Sequence, residues 1–80
     1  MYVEIITPDK NLFEGEADLV QVPGTNGSFA VLKNHAPIIS TLEPGEIKVL
    51  TTYGVNKFFE IGGGIIEVKN NKIAILVENA

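Results

Sequence analysis

The sequence contains neither cysteine nor arginine, and it has a single histidine, His35. Without cysteine, disulfide bonds and thiolate metal sites are both excluded. Without arginine, the chain lacks the side chain best suited to phosphate groups and base edges, and its net charge of -4 also disfavours nucleic acid. The missing residue types therefore argue against a nucleic-acid binder and leave few routes to catalysis.

Long apolar runs and helical patterns are missing as well. No apolar run approaches the ~20 residues that a membrane-spanning helix needs, and the N-terminus has no basic segment followed by an apolar one. No window of sufficient length carries apolar residues at the i, i+3, i+4, i+7 spacing of an amphipathic helix. We expect a soluble chain of cytosolic type that can still attach to a membrane complex.

What the sequence does contain is a series of short alternating segments divided by turn residues. Its 80 residues suffice for one small domain, and 45% of them are hydrophobic, which allows a core without disulfides. We predict one all-β domain over residues 1–80, a flattened antiparallel β-sandwich or barrel of about eight to ten short strands without C-terminal helices. The clearest predicted strands are 2–7, 12–22, 38–42, 47–52, 55–61, 65–69 and 72–77. A short apolar segment within 23–37 is a further candidate.

Local features refine this prediction. In segment 12–22 the apolar side chains change face, so a β-bulge or a bend between two sheets is expected near Leu19. Asn70-Asn71 tolerates the left-handed conformations of a two-residue hairpin turn. The glycines at 62–64 predict a sharp corner, and Gly27 is a candidate for positive φ.

The alternation also predicts which side chains form the core and which stay outside. Five apolar residues, Ile6, Leu50, Phe58, Ile65 and Leu76, have the opposite parity to the core set. Several of them together would form an exposed patch of the kind that marks binding surfaces, unless the parity slips at bulges. The predicted core comprises Val3, Ile5, Phe13, Leu19, Val22, Phe29, Val31, Ile39, Ile47, Val49, Phe59, Ile61, Ile66, Val68, Ile73, Ile75 and Val77.

Two places in the chain could carry chemistry. A Ser-His-Asp arrangement would have to pass through His35, but no nucleophile elbow accompanies it, and a histidine in such a loop is more often a structural or interface residue. Glu14, Glu16 and Asp18 share one strand face, where a hard cation could bind. A solvated strand face guarded by charge is the favoured interpretation. We therefore expect no catalytic residue, no metal site and no cofactor.

A carrier domain is another class of protein that the length allows. Lipoyl and biotinyl carriers are β-sandwiches of similar size with a modified lysine at a hairpin tip near mid-chain. Here Lys10, in the only Asp-Lys pair, lies close to the N-terminus, and Lys57 lies inside a predicted strand. The pattern fits a carrier poorly, so a carrier domain or another small β-sandwich interaction module remains the alternative.

Several short motifs follow one another along the chain. They are Thr7-Pro8 with Leu12-Phe13-Glu14-Gly15-Glu16, then Val22-Pro23-Gly24-Thr25-Asn26-Gly27-Ser28-Phe29, His35-Ala36-Pro37-Ile38-Ile39, Leu42-Glu43-Pro44-Gly45, Gly63-Gly64-Ile65-Ile66-Glu67-Val68 and Ile73-Ala74-Ile75-Leu76-Val77-Glu78. Each motif is weak by itself. In this order and at this spacing, the chain resembles the N-terminal β-sandwich domain of the epsilon subunit of F-type ATP synthase over essentially its whole length.

The resemblance implies a non-catalytic rotor subunit in the central stalk of a proton-translocating ATP synthase. Such a subunit couples rotation of the membrane c-ring to the gamma subunit, and hence to ATP synthesis by the complex with the alpha/beta hexamer. The implied location is peripheral, on the cytoplasmic face of the bacterial plasma membrane rather than in an organelle, with no membrane insertion and no nucleic acid. The c-ring contact maps onto Pro23, Gly24, Thr25, Asn26, Gly27 and Ser28. The gamma contact maps onto Thr7, His35, Ala36 and Pro37, with part of one sheet face.

The chain departs from the family pattern at Ala30, where glycine is common, at Gly62, where serine is usual, and in the two respects that follow. Family members typically continue into two α-helices, whereas this sequence stops at Ala80. The inhibition of ATP hydrolysis and the ATP binding linked to those helices are therefore not carried over. Lys33-Asn34 replaces the usual Pro-Gly, and because asparagine tolerates a left-handed backbone best after glycine, this substitution is compatible with the same turn at Asn34.

Overall fold

A computed structural model describes residues 1–78. All segments predicted as strands are found, and the apolar segment within 23–37 forms a further one. Within these residues there is no helix, and thus none that is long and apolar enough to cross a membrane. The strands are β1 Tyr2–Ile6, β2 Asn11–Val22, β3 Phe29–Leu32, β4 Ile38–Leu42, β5 Gly45–Thr51, β6 Asn56–Ile61, β7 Gly64–Lys69 and β8 Lys72–Val77.

The strands form one hydrogen-bonded path in the order β4-β7-β8-β1-β2-β5-β6, with β3 also joined to β2. Strand β2 divides this path, because its first half pairs with β1 and its second half pairs with β5 and β3. We name β4, β7, β8, β1 and the first half of β2 the first sheet. The second half of β2 with β3, β5 and β6 is the second sheet. The predicted all-β sandwich of short strands is confirmed.

The bulge predicted near Leu19 lies where β2 passes from the first sheet to the second. The register of β2 with β5 shifts between Ala17 and Leu19, so Asp18 is the extra residue. Ala17 and Val20 are both buried, although they have opposite parity. The bulge therefore keeps apolar side chains inside while the strand changes sheet.

One strand pair departs from the predicted antiparallel arrangement. Strands β1 and β8 are parallel, with Tyr2 opposite Lys72 and Ile6 opposite Leu76. A parallel pair cannot be joined by a hairpin, and here the whole chain between the two strands serves as the connection. As a result β1 lies in the interior of the first sheet, between β2 and β8.

One apolar core fills the space between the sheets. Phe13, Phe29 and Phe59 pack against it while partly buried, and the rings of Phe13 and Phe59 lie 6.0 Å apart between centroids. Most of the predicted core set is confirmed. The buried apolar residues are Val3, Ile5, Ala17, Val20, Val22, Val31, Leu42, Ile47, Val49, Ile61, Ile66, Val68, Ile73, Ile75 and Val77.

Two core predictions are wrong. Ile39 is 67% exposed, because the inward positions of β4 are those of Ile38 and Leu42 with a serine between them. Because this inward residue is polar, β4 lacks the alternation of apolar and polar residues from which its inner face could be predicted. Leu19 is only half-buried, because the bulge gives the inward position to Val20.

The turns follow the backbone predictions. Asn70 and Asn71 have φ of 52° and 60° and join β7 to β8 as a two-residue hairpin. Gly63, in the predicted corner, has φ of 116°. The left-handed turn proposed at Asn34 is also found, with φ of 65°.

Candidate partner interface

The Pro23 loop, residues 23–28, joins β2 to β3 as a tight turn. The backbone N–H of Gly27 donates to the carbonyl oxygen of Gly24 at 2.9 Å, which closes four residues into a β-turn. Gly24 is buried, whereas Thr25, Asn26, Gly27 and Ser28 are exposed. The loop therefore presents a polar tip on a buried base.

Two glycines are required by this geometry. A Cβ at Gly24 would lie 2.7 Å from the carbonyl oxygen of Gly27 and 2.8 Å from the ring of Phe29, which is closer than packed atoms approach. Gly27 has φ of 124°, so the positive φ suggested from the sequence is confirmed. Both residues shape the loop by having no side chain.

The end of β4 anchors the Pro23 loop. The N–H of Thr25 donates to the carbonyl of Thr41 at 3.1 Å, and the N–H of Glu43 donates to the carbonyl of Pro23 at 2.8 Å. The hydroxyls of Thr25 and Thr41 add a bond of 2.9 Å. Most of these restraints are main-chain bonds, so the position of the loop depends little on which side chains it carries.

The His35 loop, residues 33–37, follows β3 and is fixed differently. The N–H of His35 donates to the carbonyl of Leu32 at 3.1 Å and closes the turn. The N–H of Asn34 donates to Asn71 Oδ1 at 2.6 Å, and Asn71 Nδ2 donates to Asn34 Oδ1 at 2.7 Å. This reciprocal pair attaches the loop to the β7–β8 hairpin, 37 positions later in the chain.

The imidazole of His35 is half-buried and bonds within its own loop. Its Nδ1 lies 2.7 Å from the carbonyl oxygen of Ala36. A carbonyl only accepts, so Nδ1 carries the proton in this contact. Ala36 and Pro37, next along the chain, are exposed. The turn therefore fixes the His35 ring within its own loop and leaves Ala36 and Pro37 exposed, which suits a contact surface.

Thr7 occupies a separate turn after β1. Its N–H donates to the carbonyl of Lys10 at 2.8 Å, and its hydroxyl accepts from the N–H of Asp9 at 3.2 Å and from that of Lys10 at 3.0 Å. The Thr7 side chain is thus engaged in closing its own turn.

The residues mapped to the gamma contact do not lie together. Thr7 follows the end of β1, where Ile6 is opposite Leu76. The His35 loop is bonded to Asn71, whose carbonyl accepts from the N–H of Tyr2 at the start of β1. At about 3.3 Å per residue, the five residues of β1 separate these two places by roughly 15 Å.

Apolar side chains form a shallow groove on the outer face of the first sheet, with a volume of about 240 Å³. Ile39, Ile65 and Leu76 are exposed there by 67%, 42% and 47%. The sequence analysis assigned Ile39 to the core and so missed its place on this exposed surface. We call this surface the first-sheet groove, and it is lined by Glu4, Ile6, Ile39, Ile65, Glu67, Ala74, Ile75 and Leu76.

The second sheet has an apolar outer face of its own. Leu19 is opposite both Leu32 and Leu50 in neighbouring strands, and Phe58 is exposed in β6 by 55%. The set predicted to form one exposed patch is therefore divided. Ile6, Ile65 and Leu76 lie on the first sheet, whereas Leu50 and Phe58 lie on the second.

Two of the three carboxylates considered for a cation, Glu14 and Glu16, are engaged with groups of the same chain. Glu14 accepts from the hydroxyl of Tyr2 and from Asn11 Nδ2, the latter at 3.2 Å. Glu16 Oε1 lies 3.4 Å from the N-terminal amine. Across residues 1–78, no three His, Asp or Glu side chains are grouped so that they could hold a metal ion.

Fixed loops and apolar outer faces on a small β-sandwich define an assembly module, a domain whose surfaces suit contact with other subunits. Comparison with known proteins gives the family. Residues 1–80 match the family model described as ATP synthase, Delta/Epsilon chain, beta-sandwich domain. The chain belongs to this family, and the resemblance seen in its motifs is confirmed. The carrier-domain alternative is set aside.

Curated relatives support the same assignment. The chain is 40% identical over 80 residues to the ATP synthase epsilon chain of Caulobacter vibrioides, covering all of this chain and 92% of the relative. It is 41% identical over 76 residues to that of Chlorobaculum tepidum, covering 95% and 86%. The epsilon chain of Alkalilimnicola ehrlichii is 34% identical, and this chain covers 57% of it. The relatives therefore differ in length, and the chain spans from over half to nearly all of them.

Two solved structures share the fold. One belongs to the central stalk and c-ring of Tetrahymena thermophila mitochondrial ATP synthase, with a TM-score of 0.83, 24% identity, and coverage of 99% of this chain and 63% of that one. The other belongs to the Euglena gracilis mitochondrial ATP synthase, with a TM-score of 0.83, 20% identity, and coverage of 94% and 48%. Both support the β-sandwich assignment.

Proposed function

We propose that this chain is a non-catalytic subunit of the central stalk of an F-type ATP synthase, coupling rotation of the c-ring to the gamma subunit and so to ATP synthesis. The observation that carries the proposal is the 40% identity to an epsilon chain over all 80 residues and 92% of that relative. A stalk subunit transmits torque through its contacts with other subunits, so the loops that make those contacts must be stiff. The main-chain bonds of the Pro23 loop and the amide pair of the His35 loop are consistent with that demand.

The Pro23 loop is the proposed contact with the c-ring. Thr25, Asn26, Gly27 and Ser28 are exposed at its tip, and Pro23 with Gly24 forms its base. Because β4 already holds the loop in place, little conformational entropy is lost when a partner binds. A short, fixed and polar loop suits repeated contact with the polar loops of a ring.

The proposed contact with gamma has two parts, Thr7 at one end of the first sheet and His35 with Ala36 and Pro37 at the other. Their separation means that a partner touching both must extend along the sheet. The first-sheet groove lies between the two parts and offers apolar side chains for burial. Gamma would therefore cover the outer face of the first sheet.

The location follows from the partners. A subunit attached to the ring and to gamma is held at the membrane by the complex rather than by its own segment. We propose the cytoplasmic face of the bacterial plasma membrane, since the relatives from Caulobacter vibrioides and Chlorobaculum tepidum, of which the chain covers 92% and 86%, are bacterial.

Copurification from membranes tests the proposal directly. The chain with an affinity tag, expressed in a bacterium lacking its own epsilon subunit, is expected to recover gamma, the alpha and beta subunits and the c-ring. The isolated chain is expected to hydrolyse no ATP. Recovery of none of the synthase subunits would refute the proposed function.

The ring contact can be tested with charge. Asn26→Asp with Ser28→Glu adds two negative charges to the tip of the Pro23 loop, where both side chains are exposed. The change removes the bond from Gln21 to Ser28, but the main-chain bonds of the loop remain, so the domain should stay folded. We expect weaker retention of the complex on the ring and less proton-driven ATP synthesis. The control, Thr52→Glu with Asn56→Asp, places the same charges on two exposed positions, one in the β5–β6 connection and one at the start of β6. If both variants lost ring attachment and ATP synthesis equally, or if neither lost them, a role for the loop would be contradicted.

A further inference from the structure

Asn26 and Gly27 form an Asn-Gly pair at the exposed tip of the Pro23 loop. In such a pair the amide nitrogen of the glycine can reach the side-chain carbonyl of the asparagine, because glycine has no side chain to obstruct the approach. A Cβ at Gly27 would meet nothing within 4 Å, so the surroundings of this peptide are open to water. We propose that Asn26 is a site of spontaneous deamidation.

The reaction needs only water and proceeds in two steps. The backbone nitrogen of Gly27 loses its proton and attacks Cγ of Asn26, the bond from Cγ to Nδ2 breaks, and ammonia leaves with the proton, giving a five-membered succinimide. Water then adds to one of the two imide carbonyls. Opening at Cγ gives aspartate, and opening at the main-chain carbonyl gives isoaspartate. Either product carries a carboxylate where a neutral amide stood.

Other asparagines provide the comparison within the same chain. The Asn34 and Asn71 side chains bond to each other, and Asn11 Nδ2 donates to Glu14. The Asn26 side chain makes no hydrogen bond with any other group of residues 1–78, so no such bond holds its amide away from the reaction. Asn56 and Asn70 are exposed as well, but lysine and asparagine follow them and obstruct the attacking nitrogen.

The turn itself sets the rate. The attacking N–H of Gly27 is donated to Gly24 at 2.9 Å, and this bond must open before the nitrogen can react. A hydrogen bond of ordinary net strength slows such a step by roughly threefold to tenfold relative to an unfolded peptide. Folded protein should therefore deamidate at Asn26 more slowly than its own peptide and still faster than at Asn56 or Asn70.

The change stays local, because the loop is anchored on both sides of the reacting pair. Thr25 is bonded to Thr41, and Ser28 Oγ accepts from Gln21 Nε2 at 3.3 Å. Isoaspartate adds one carbon to the main chain between these anchors, and aspartate adds only charge. We expect the domain to remain folded while the tip of the loop gains a negative charge.

Ageing the folded chain in mildly alkaline buffer at body temperature tests this directly. Peptide mapping should show the Asn26 peptide gaining about one dalton and separating into aspartate and isoaspartate forms, ahead of the peptides with Asn56 and Asn70. A synthetic peptide of residues 20–32 gives the unfolded rate, and Asn26→Gln, which cannot form the five-membered ring, should lose the modification. An unchanged Asn26 after the peptide has converted fully, or equal rates at Asn56 and Asn70, would overturn the proposal.

Discussion

The Pro23 loop and the His35 loop flank the same strand, β3, and each closes a four-residue turn with one backbone hydrogen bond. They are held in place by different chemistry. Main-chain bonds to β4 fix the first, and the side-chain amides of Asn34 and Asn71 fix the second. The Pro23 loop should therefore tolerate the loss of side chains but not a methyl group added at Gly24, whereas the His35 loop should be destabilised by loss of the Asn34 or Asn71 side chain.

The largest effect is expected from Gly24→Ala in the Pro23 loop. The new Cβ would lie 2.7 Å from the carbonyl of Gly27 and 2.8 Å from the ring of Phe29. Relieving this overlap should cost about 2 kcal/mol of the free energy of unfolding. In a domain of this size the Tm would fall by roughly 10 °C, which thermal unfolding followed by circular dichroism can measure.

Gly15→Ala is the matched control for that variant. Its Cβ would make an ordinary contact, 3.5 Å from the ring of Phe13, within strand β2. We expect its free energy of unfolding to stay within about 0.5 kcal/mol of the parent chain. If Gly24→Ala were equally mild, the base of the Pro23 loop would be adjustable and the comparison would fail.

An intermediate effect is expected when the amide pair is removed. Asn71→Gly keeps the left-handed backbone and deletes both bonds to Asn34, at a cost of about 1 to 2 kcal/mol. Asn34→Gly deletes only the bond through its own side chain, because its N–H still donates to Asn71 Oδ1, and should cost about half as much. Urea unfolding of both variants and of the double variant gives the coupling energy. Strict additivity would mean that the bond between the two side chains contributes nothing.

The smallest effect is expected from Thr41→Val beside the Pro23 loop. This change removes the hydroxyl bond to Thr25 and leaves the main-chain bond between the same two residues at 3.1 Å. Both side chains are exposed, so the loss should not exceed about 0.5 kcal/mol. Amide hydrogen exchange at Thr25 should be nearly unchanged. A cost equal to that of Asn71→Gly would show that side chains fix both loops alike.

The sequence predicts best where the cause is local. A change of face within β2 indicated the bulge near Leu19, and the tolerance of asparagine for positive φ accounted for Asn34 and the Asn70-Asn71 hairpin. Each of these depends on residues next to one another in the chain.

Features that join distant segments of the chain could not be predicted from the sequence. Nothing local in Asn34 indicates a bond to Asn71, 37 positions away, and alternation alone does not show whether β1 runs parallel to β8. Ile39 was misassigned because a serine on the inner side of β4 makes both faces of the strand look alike. The family resemblance assigned Thr7 and His35 to the same partner, the gamma subunit. Only the strand pairing of β1 showed how far apart the two residues lie.

The position of β1 has a consequence for the synthesis of the chain. Among the strands of residues 1–78, β1 leaves the ribosome before all others, yet its partner β8 follows all of them, with Tyr2 opposite Lys72. Until β8 emerges, one edge of β1 offers unpaired N–H and C=O groups, and such an edge is prone to pair with other chains. Contacts of such long sequence separation also form slowly. The nascent domain therefore cannot complete its first sheet before synthesis has passed Val77, and β1 is the segment that most needs protection until then.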